Sequence, residues 1–161
     1  MSEYITAGNL PVLALRGLAV FPDQTVHFEV GRAKSIKALE AAMRKDQNLL
    51  LMPQRDISCD DPDLSDLYPI GTVAKIKQIL KLQGETVRVL ATGLCRARIQ
   101  DLSQTEPYLS GMVVSVQETE VMDTLRSRAL RREANALFSN YLDASEHPAQ
   151  AVQLQIGRAH V

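Results

Sequence analysis

The sequence has no tryptophan, only three phenylalanines and four tyrosines, and only two cysteines in 161 residues. It also lacks a charge of one sign: 18 basic residues stand against 19 acidic ones, for a net charge of −1. Without a basic excess, a dedicated duplex binder is disfavoured, because such binding rests on Lys and Arg neutralising phosphates. Few aromatics leave little surface on which bases could stack. Cys59 and Cys95 form no CxxC pair, which fits two ordinary thiols in a reducing compartment better than a disulfide framework. The apolar opening Leu10–Phe21 is interrupted by Arg16, and no run approaches the roughly 18 apolar residues of a spanning helix. The first residues also lack the pattern of a secretory signal, so a cytoplasmic location with no membrane contact is expected.

Catalytic signatures are missing as well. None of the eight glycines precedes a lysine, so no Walker-type phosphate loop exists, and no serine has glycines two residues away on both sides. His27, His147 and His160 are scattered, and no Cys/His quartet offers zinc its ligands, so no metal site is expected. Asp56, Asp60, Asp61, Asp63 and Asp66 crowd one stretch with Pro53, Pro62 and Pro69. Read as a calcium loop from Asp61, that stretch has Asp66 and Thr72 where glycine and glutamate belong, so it reads as a solvated connection instead.

What is present is β-rich. Residues 10–15 read as a strand, Gly17 as a turn, and Thr25–Val30 as a second strand after the Phe21-Pro22-Asp23 bend. From Ala33 to Lys45, Ile36, Leu39 and Met43 recur at helical spacing. Asn48–Met52 has the length of a buried strand. In the segment from Gly71, Ala74, Ile76, Leu80 and Leu82 share one parity while Lys75, Lys77 and Lys81 take the other. Gln83-Gly84 then turns the chain back through Thr86–Ala91, making a hairpin. Gly93 is expected to break this strand, so that Cys95, Ala97 and Ile99, alternating with Arg96 and Arg98, begin another, and Leu109–Val116 forms the last. From Asp123, a plausible cap, Leu125, Ala129, Leu130, Ala134, Leu137, Phe138 and Tyr141 recur at three- and four-residue steps. The layout is an α+β domain of mostly antiparallel pairings at residues 1–118, followed by the start of a helical part at 119–161. Residues 143–161 are weakly periodic and read as a truncated domain or a cloning-derived tail.

Several ordered stretches closely resemble the amino-terminal domain of bacterial Lon, the ATP-dependent serine protease. They are Leu10-Pro-Val-Leu-Ala-Leu-Arg-Gly-Leu-Ala-Val-Phe-Pro22, Val30 through Met43, Asp66 through Leu80, Thr86–Leu90, Gly93–Ile99 and Glu106–Leu109. The resemblance implies a PUA-like subdomain with one helix and a helical part that continues beyond the length present here. It also implies an ATPase, with ATP and magnesium, and a Ser-Lys protease downstream, assembled as a hexameric ring with other Lon subunits. No cofactor is expected in this stretch itself. The sequence departs from the family pattern at four positions: Asp23 stands where glycine is frequent, His27 and Glu29 where relatives often have proline and an apolar residue, and Ala14 where proline is common.

Three readings of function follow. The first is recognition of unfolded or damaged protein substrates through Leu18, Val20, Phe21, Pro22 and Phe28 near the bend, with Leu80 and Leu82 as a second patch. The second is a nucleic-acid module, DNA included, using Lys75, Lys77, Lys81, Arg88, Arg96 and Arg98. The third is assembly through the apolar stripe of the last helix, which would make the isolated chain a monomer or weak dimer. Arg126, Arg128, Arg131 and Arg132 on that helix read as a wet face.

Overall fold

The computed structural model describes residues 8–116 and 123–144. Among the described residues are six strands and two longer helices: β1 (Gly8–Leu15), β2 (Thr25–Val30), α1 (Ala33–Met43), β3 (Asn48–Pro53), β4 (Gly71–Lys81), β5 (Val87–Gln104), β6 (Ser110–Ser115) and α2 (Leu125–Ala144). A single 3-10 turn, Leu64–Asp66, lies between β3 and β4. The chain divides into two compact units, residues 1–117 and 118–161. The first is α+β, and all its strand pairs are antiparallel except β1 with β3, whose parallel pairing is reached through β2 and α1.

The strands lie in the order β2-β5-β4-β3-β1-β6, and β6 pairs again with β5. Five strands therefore close a ring, with β2 attached outside it. Closure depends on the length of β5. Its first part, Val87–Thr92, pairs with β2, and its last part, Ala97–Gln104, pairs with β6, while β4 runs along its other edge.

Alternate residues along the strands serve two apolar clusters, as a two-residue period dictates. Leu13, Leu15, Leu49, Leu51, Ala74, Ile76, Phe28 and Val30 pack with Leu39 and Ala42 of α1. Leu10, Val12, Leu50, Met52, Val73, Ala97 and Val113 form the other cluster, closed off by Leu67 and Leu109. A five-stranded ring is too narrow to hold a helix, so the cluster that includes α1 is the outer one and the second fills the ring.

The structure corrects three expectations. Gly93 does not end a strand: β5 passes through it, with a register shift where Val73 and Ala74 of β4 face Cys95 and Gly93. Three strands, not four, follow the acidic loop. A second shift between Ile76 and Gln78 reverses the parity of β4, so Ile79 packs on the core and Leu80 turns outward. Finally, Thr124 rather than Asp123 caps α2. The Ser127 amide donates to Thr124 Oγ1 at 3.1 Å and the Thr124 amide donates to Ser127 Oγ at 2.9 Å. Asp123 pairs instead with Arg128 and Arg131.

Within α2, Leu125, Leu130, Leu137 and Tyr141 are exposed, Leu142 is buried, and Phe138 stacks on Tyr141 with ring centroids 6.2 Å apart. Of the weakly periodic stretch 143–161, residues 145–161 lie outside the described residues.

Candidate functional site

The bend after β1 is built around one close approach. The Gln24 amide donates to the Phe21 carbonyl at 3.2 Å, closing a turn with Pro22 second and Asp23 third. Pro22 presets its own φ, and Asp23 has φ 61°, the positive value that the third residue of a type II turn takes. Glycine takes it without strain, whereas Asp is among the few side chains that tolerate it. The Gln24 side chain braces the turn by accepting from the Phe21 amide at 3.1 Å. Asp23 and Gln24 both face Gly93, as in a β-bulge: the Asp23 amide donates to the Gly93 carbonyl at 3.0 Å, and the Gly93 amide donates to the Gln24 carbonyl at 2.9 Å. A Cβ on Gly93 would lie 2.2 Å from the Phe21 carbonyl oxygen, so only glycine lets the turn seat here. Thr72 Oγ1 adds a buried bond to the Val20 carbonyl at 2.6 Å. The turn thus occupies the place where β5 exchanges β2 for β6 as its partner.

This frame holds Phe21 51% exposed, with the Arg96 guanidinium 5.7 Å from its ring centroid. Its neighbours in the expected patch are distributed differently. Val20 and Phe28 are core residues, 6% and 8% exposed, and are removed from the surface by packing beneath α1. Leu18 and Pro22 are half-buried, Leu18 against the same core. Leu80 is 49% exposed and Leu82 half-buried, but Leu80 pairs with Arg88, five residues before Gly93 on β5, or roughly 17 Å away along the strand. The two expected patches are therefore separate.

Sequence reasoning missed Ile70, Tyr68 and Met112, all exposed. Ile70 shares a groove with Arg98 and Val114, and Arg55 lies 4.9 Å over the Tyr68 ring. The signal was available in Leu67-Tyr-Pro-Ile-Gly71, where apolar side chains fall beside Pro and Gly and the backbone restricts burial, as at Phe21.

The cationic set does not form one face. Ile76 and Ile79 both point to the core across the bulge, so Lys75 and Lys81 leave opposite faces of β4. Arg88 is engaged by Glu29 at 2.7 Å and Arg96 lies over Phe21, while Lys77 and Arg98 are exposed.

The acidic residues are taken up by local contacts. Asp60 pairs with Arg16, Asp63 and Asp66 cap the 3-10 turn reciprocally, and Lys34 bridges Asp61 and Glu106, each at 2.8 Å. The bonds from Asp61 and Glu106 push the Lys34 ammonium above its ordinary value. Burial, and then the nearby Arg16 charge, lower that of Arg32, whose guanidinium donates to the Ala14 carbonyl and to Gln54 Oε1. The Ser58 hydroxyl and amide hold the Asp56 carboxyl below the usual range. Among the described residues, no His, Cys, Asp and Glu group is placed to hold a metal ion, and no helix is long and apolar enough to cross a membrane.

Comparison with known proteins identifies the family. Residues 9–159 match the family model described as the ATP-dependent protease La (LON) substrate-binding domain. The Lon protease of Lachnoclostridium phytofermentans is 43% identical over 143 residues, covering 88% of this chain and 17% of that protein. Lon protease 1 of Bacillus subtilis is 41% identical over 138 residues, covering 86% and 18%. The chain thus spans less than a fifth of the length of these relatives. Among solved structures, the N-terminal domain of Mycobacterium avium complex Lon protease superposes with a TM-score of 0.69 at 23% identity, covering 94% of this chain and 75% of that one, which supports the fold. With residues 9–159 inside the family model, the protein belongs to the LON substrate-binding domain family.

Proposed function

We propose that this chain binds unfolded or damaged protein segments and holds them for an ATPase and Ser-Lys protease carried by a longer polypeptide. The observation that carries this reading is Phe21: a large apolar ring held half in solvent by a turn fastened at Gly93 and Thr72. A flexible loop would fold such a ring inward, whereas this turn fixes its backbone and presents it. Arg96 beside it tolerates acidic or aromatic neighbours in a bound segment. Folded proteins keep their large apolar side chains inside, so a single presented ring discriminates by exposure rather than by sequence. Each contact is weak, and a ring of six subunits, driven by ATP and magnesium, would add avidity by linking several copies. The divided cationic set gives nucleic acid no continuous track, and protein is the favoured ligand.

The test is fluorescence anisotropy of labelled lysozyme, either native or reduced and carboxymethylated, titrated with the 161-residue chain. Binding of the unfolded form with a dissociation constant below about 1 mM, a free energy of about −4 kcal/mol, is expected, with no response from the native form. Phe21→Ser should weaken it at least about tenfold while changing stability little, since the ring is half exposed. Equal binding of both forms, or none at 1 mM, refutes the reading.

A further inference from the structure

Ring closure leaves β2 as the strand whose second edge has no partner among the described residues. Its hydrogen-bonding phase can be read from its contacts. The Gly93 amide bonds the Gln24 carbonyl. Thr25 Oγ1 lies 3.0 Å from Thr92 Oγ1, and Glu29 pairs with Arg88 at 2.7 Å. These mark Thr25↔Thr92 and Glu29↔Arg88 as the close, non-hydrogen-bonded pairs of the antiparallel ladder. Val26, Phe28 and Val30 therefore bond β5, while Thr25, His27 and Glu29 direct their N–H and C=O groups away from it. Of the devices that blunt an edge, Thr25–Val30 carries one charge, Glu29, which is paired with Arg88, and contains no proline, no lysine and no bulge. Beside this edge lies a cavity of about 350 Å³, with Phe28, Glu29 and Val30 on one side, Leu13 and Leu18 among its other apolar walls and Arg16 and Arg32 among its polar ones.

We propose that the edge of β2 takes up an extended segment of unfolded polypeptide as an additional strand. The idea rests on the substrate reading above and gives it a mode of contact. Main-chain bonds to Thr25, His27 and Glu29 are available to any sequence in extended form and to few segments of a folded protein. Every second side chain of the added strand faces the cavity, whose mixed apolar and charged walls accept either kind of residue, so the main chain dominates the contact.

A soluble ten-residue peptide of alternating valine and threonine with lysine ends is the probe, and its twin is N-methylated through the six central residues. Binding to the 161-residue chain is followed by anisotropy, and backbone amide exchange by NMR. The twin should bind at least tenfold more weakly, and saturation with the parent peptide should slow exchange of the Thr25, His27 and Glu29 amides. His27→Pro, which removes an outward N–H and no bond to β5, should weaken the parent at least tenfold. Equal affinity for both peptides, or unchanged exchange at saturation, overturns the proposal. Carboxymethylated lysozyme that still binds through Phe21 then leaves the broader reading intact, whereas absence of binding by peptides and lysozyme alike overturns both. Slowed exchange that grows with protein concentration in the absence of peptide assigns the edge to a second copy of the chain, and also overturns it. The exchange measurement on the unaltered protein decides the matter even if His27→Pro does not fold.

Discussion

Replacing Gly93 with alanine isolates the contact on which the Phe21 turn depends. The new methyl would stand 2.2 Å from the Phe21 carbonyl oxygen, 3.0 Å from its carbon and 3.1 Å from Thr72 Cγ2. Two of these three atoms belong to backbone, so relief requires the turn to move off β5. That movement breaks the Asp23-to-Gly93 and Gly93-to-Gln24 bonds and strains the Thr72-to-Val20 bond. At about 1 kcal/mol net for each hydrogen bond, the loss is roughly 2–3 kcal/mol. Alanine restricts the unfolded chain and returns about 0.4–1 kcal/mol. The expected net destabilisation is about 2 kcal/mol, or roughly 10 °C in melting temperature for a unit of this size. Urea unfolding measures it, with Gly31→Ala as the control, because there the nearest atom is a side-chain oxygen at 3.4 Å and φ is not positive. Lysozyme binding should fall together with stability, since Phe21 moves with its turn. A Gly93→Ala protein within about 0.5 kcal/mol of the Gly31→Ala control, the scatter of neutral surface changes, with the Asp23 amide still protected from exchange, refutes the argument.

Two further expectations test other parts of the reasoning. Because the bulge after Ile76 reverses parity, Ile79→Ala should lower stability by about 1–2 kcal/mol and Leu80→Ala by under about 0.5 kcal/mol, and the opposite order in urea unfolding would contradict the register. The Asp56 carboxyl, depressed below its ordinary value of 3.8 by the Ser58 hydroxyl and then its amide, stabilises the fold above that value and loses its contribution as pH falls through the lower folded one. Ser58→Ala should raise it in a carboxyl-carbon NMR titration, and an unmoved titration would remove the hydroxyl as the cause.

Local patterning made most of the strands, α1 and α2 readable, because each needs only a two-residue or three-to-four-residue period. What it missed depends on residues distant in the chain. Leu80 carries the right parity for a buried position, but the partner strand β5 forces a bulge at Ile76–Gln78 that no β4 residue announces. Gly93 reads as a breaker when seen alone, yet its function is to admit the Phe21 carbonyl from 72 residues earlier in the chain. The aromatic Phe21 was recognisable from its Pro-containing bend, whereas Phe28 looked equivalent until pairing with Val89 placed it in the core. The outward groups of β2 were invisible for the same reason: which strand lies outermost is a property of the closed ring.

Strand β3 has a consequence for how the first unit comes apart. Leu49 and Leu51 belong to the cluster beneath α1, Leu50 and Met52 to the one inside the ring, and all four are at most 1% exposed. One strand is thus a party wall between two rooms. Neither can empty while the other stays furnished, so both should melt in a single cooperative transition, and a truncation made for the sake of one will be registered by probes placed in the other.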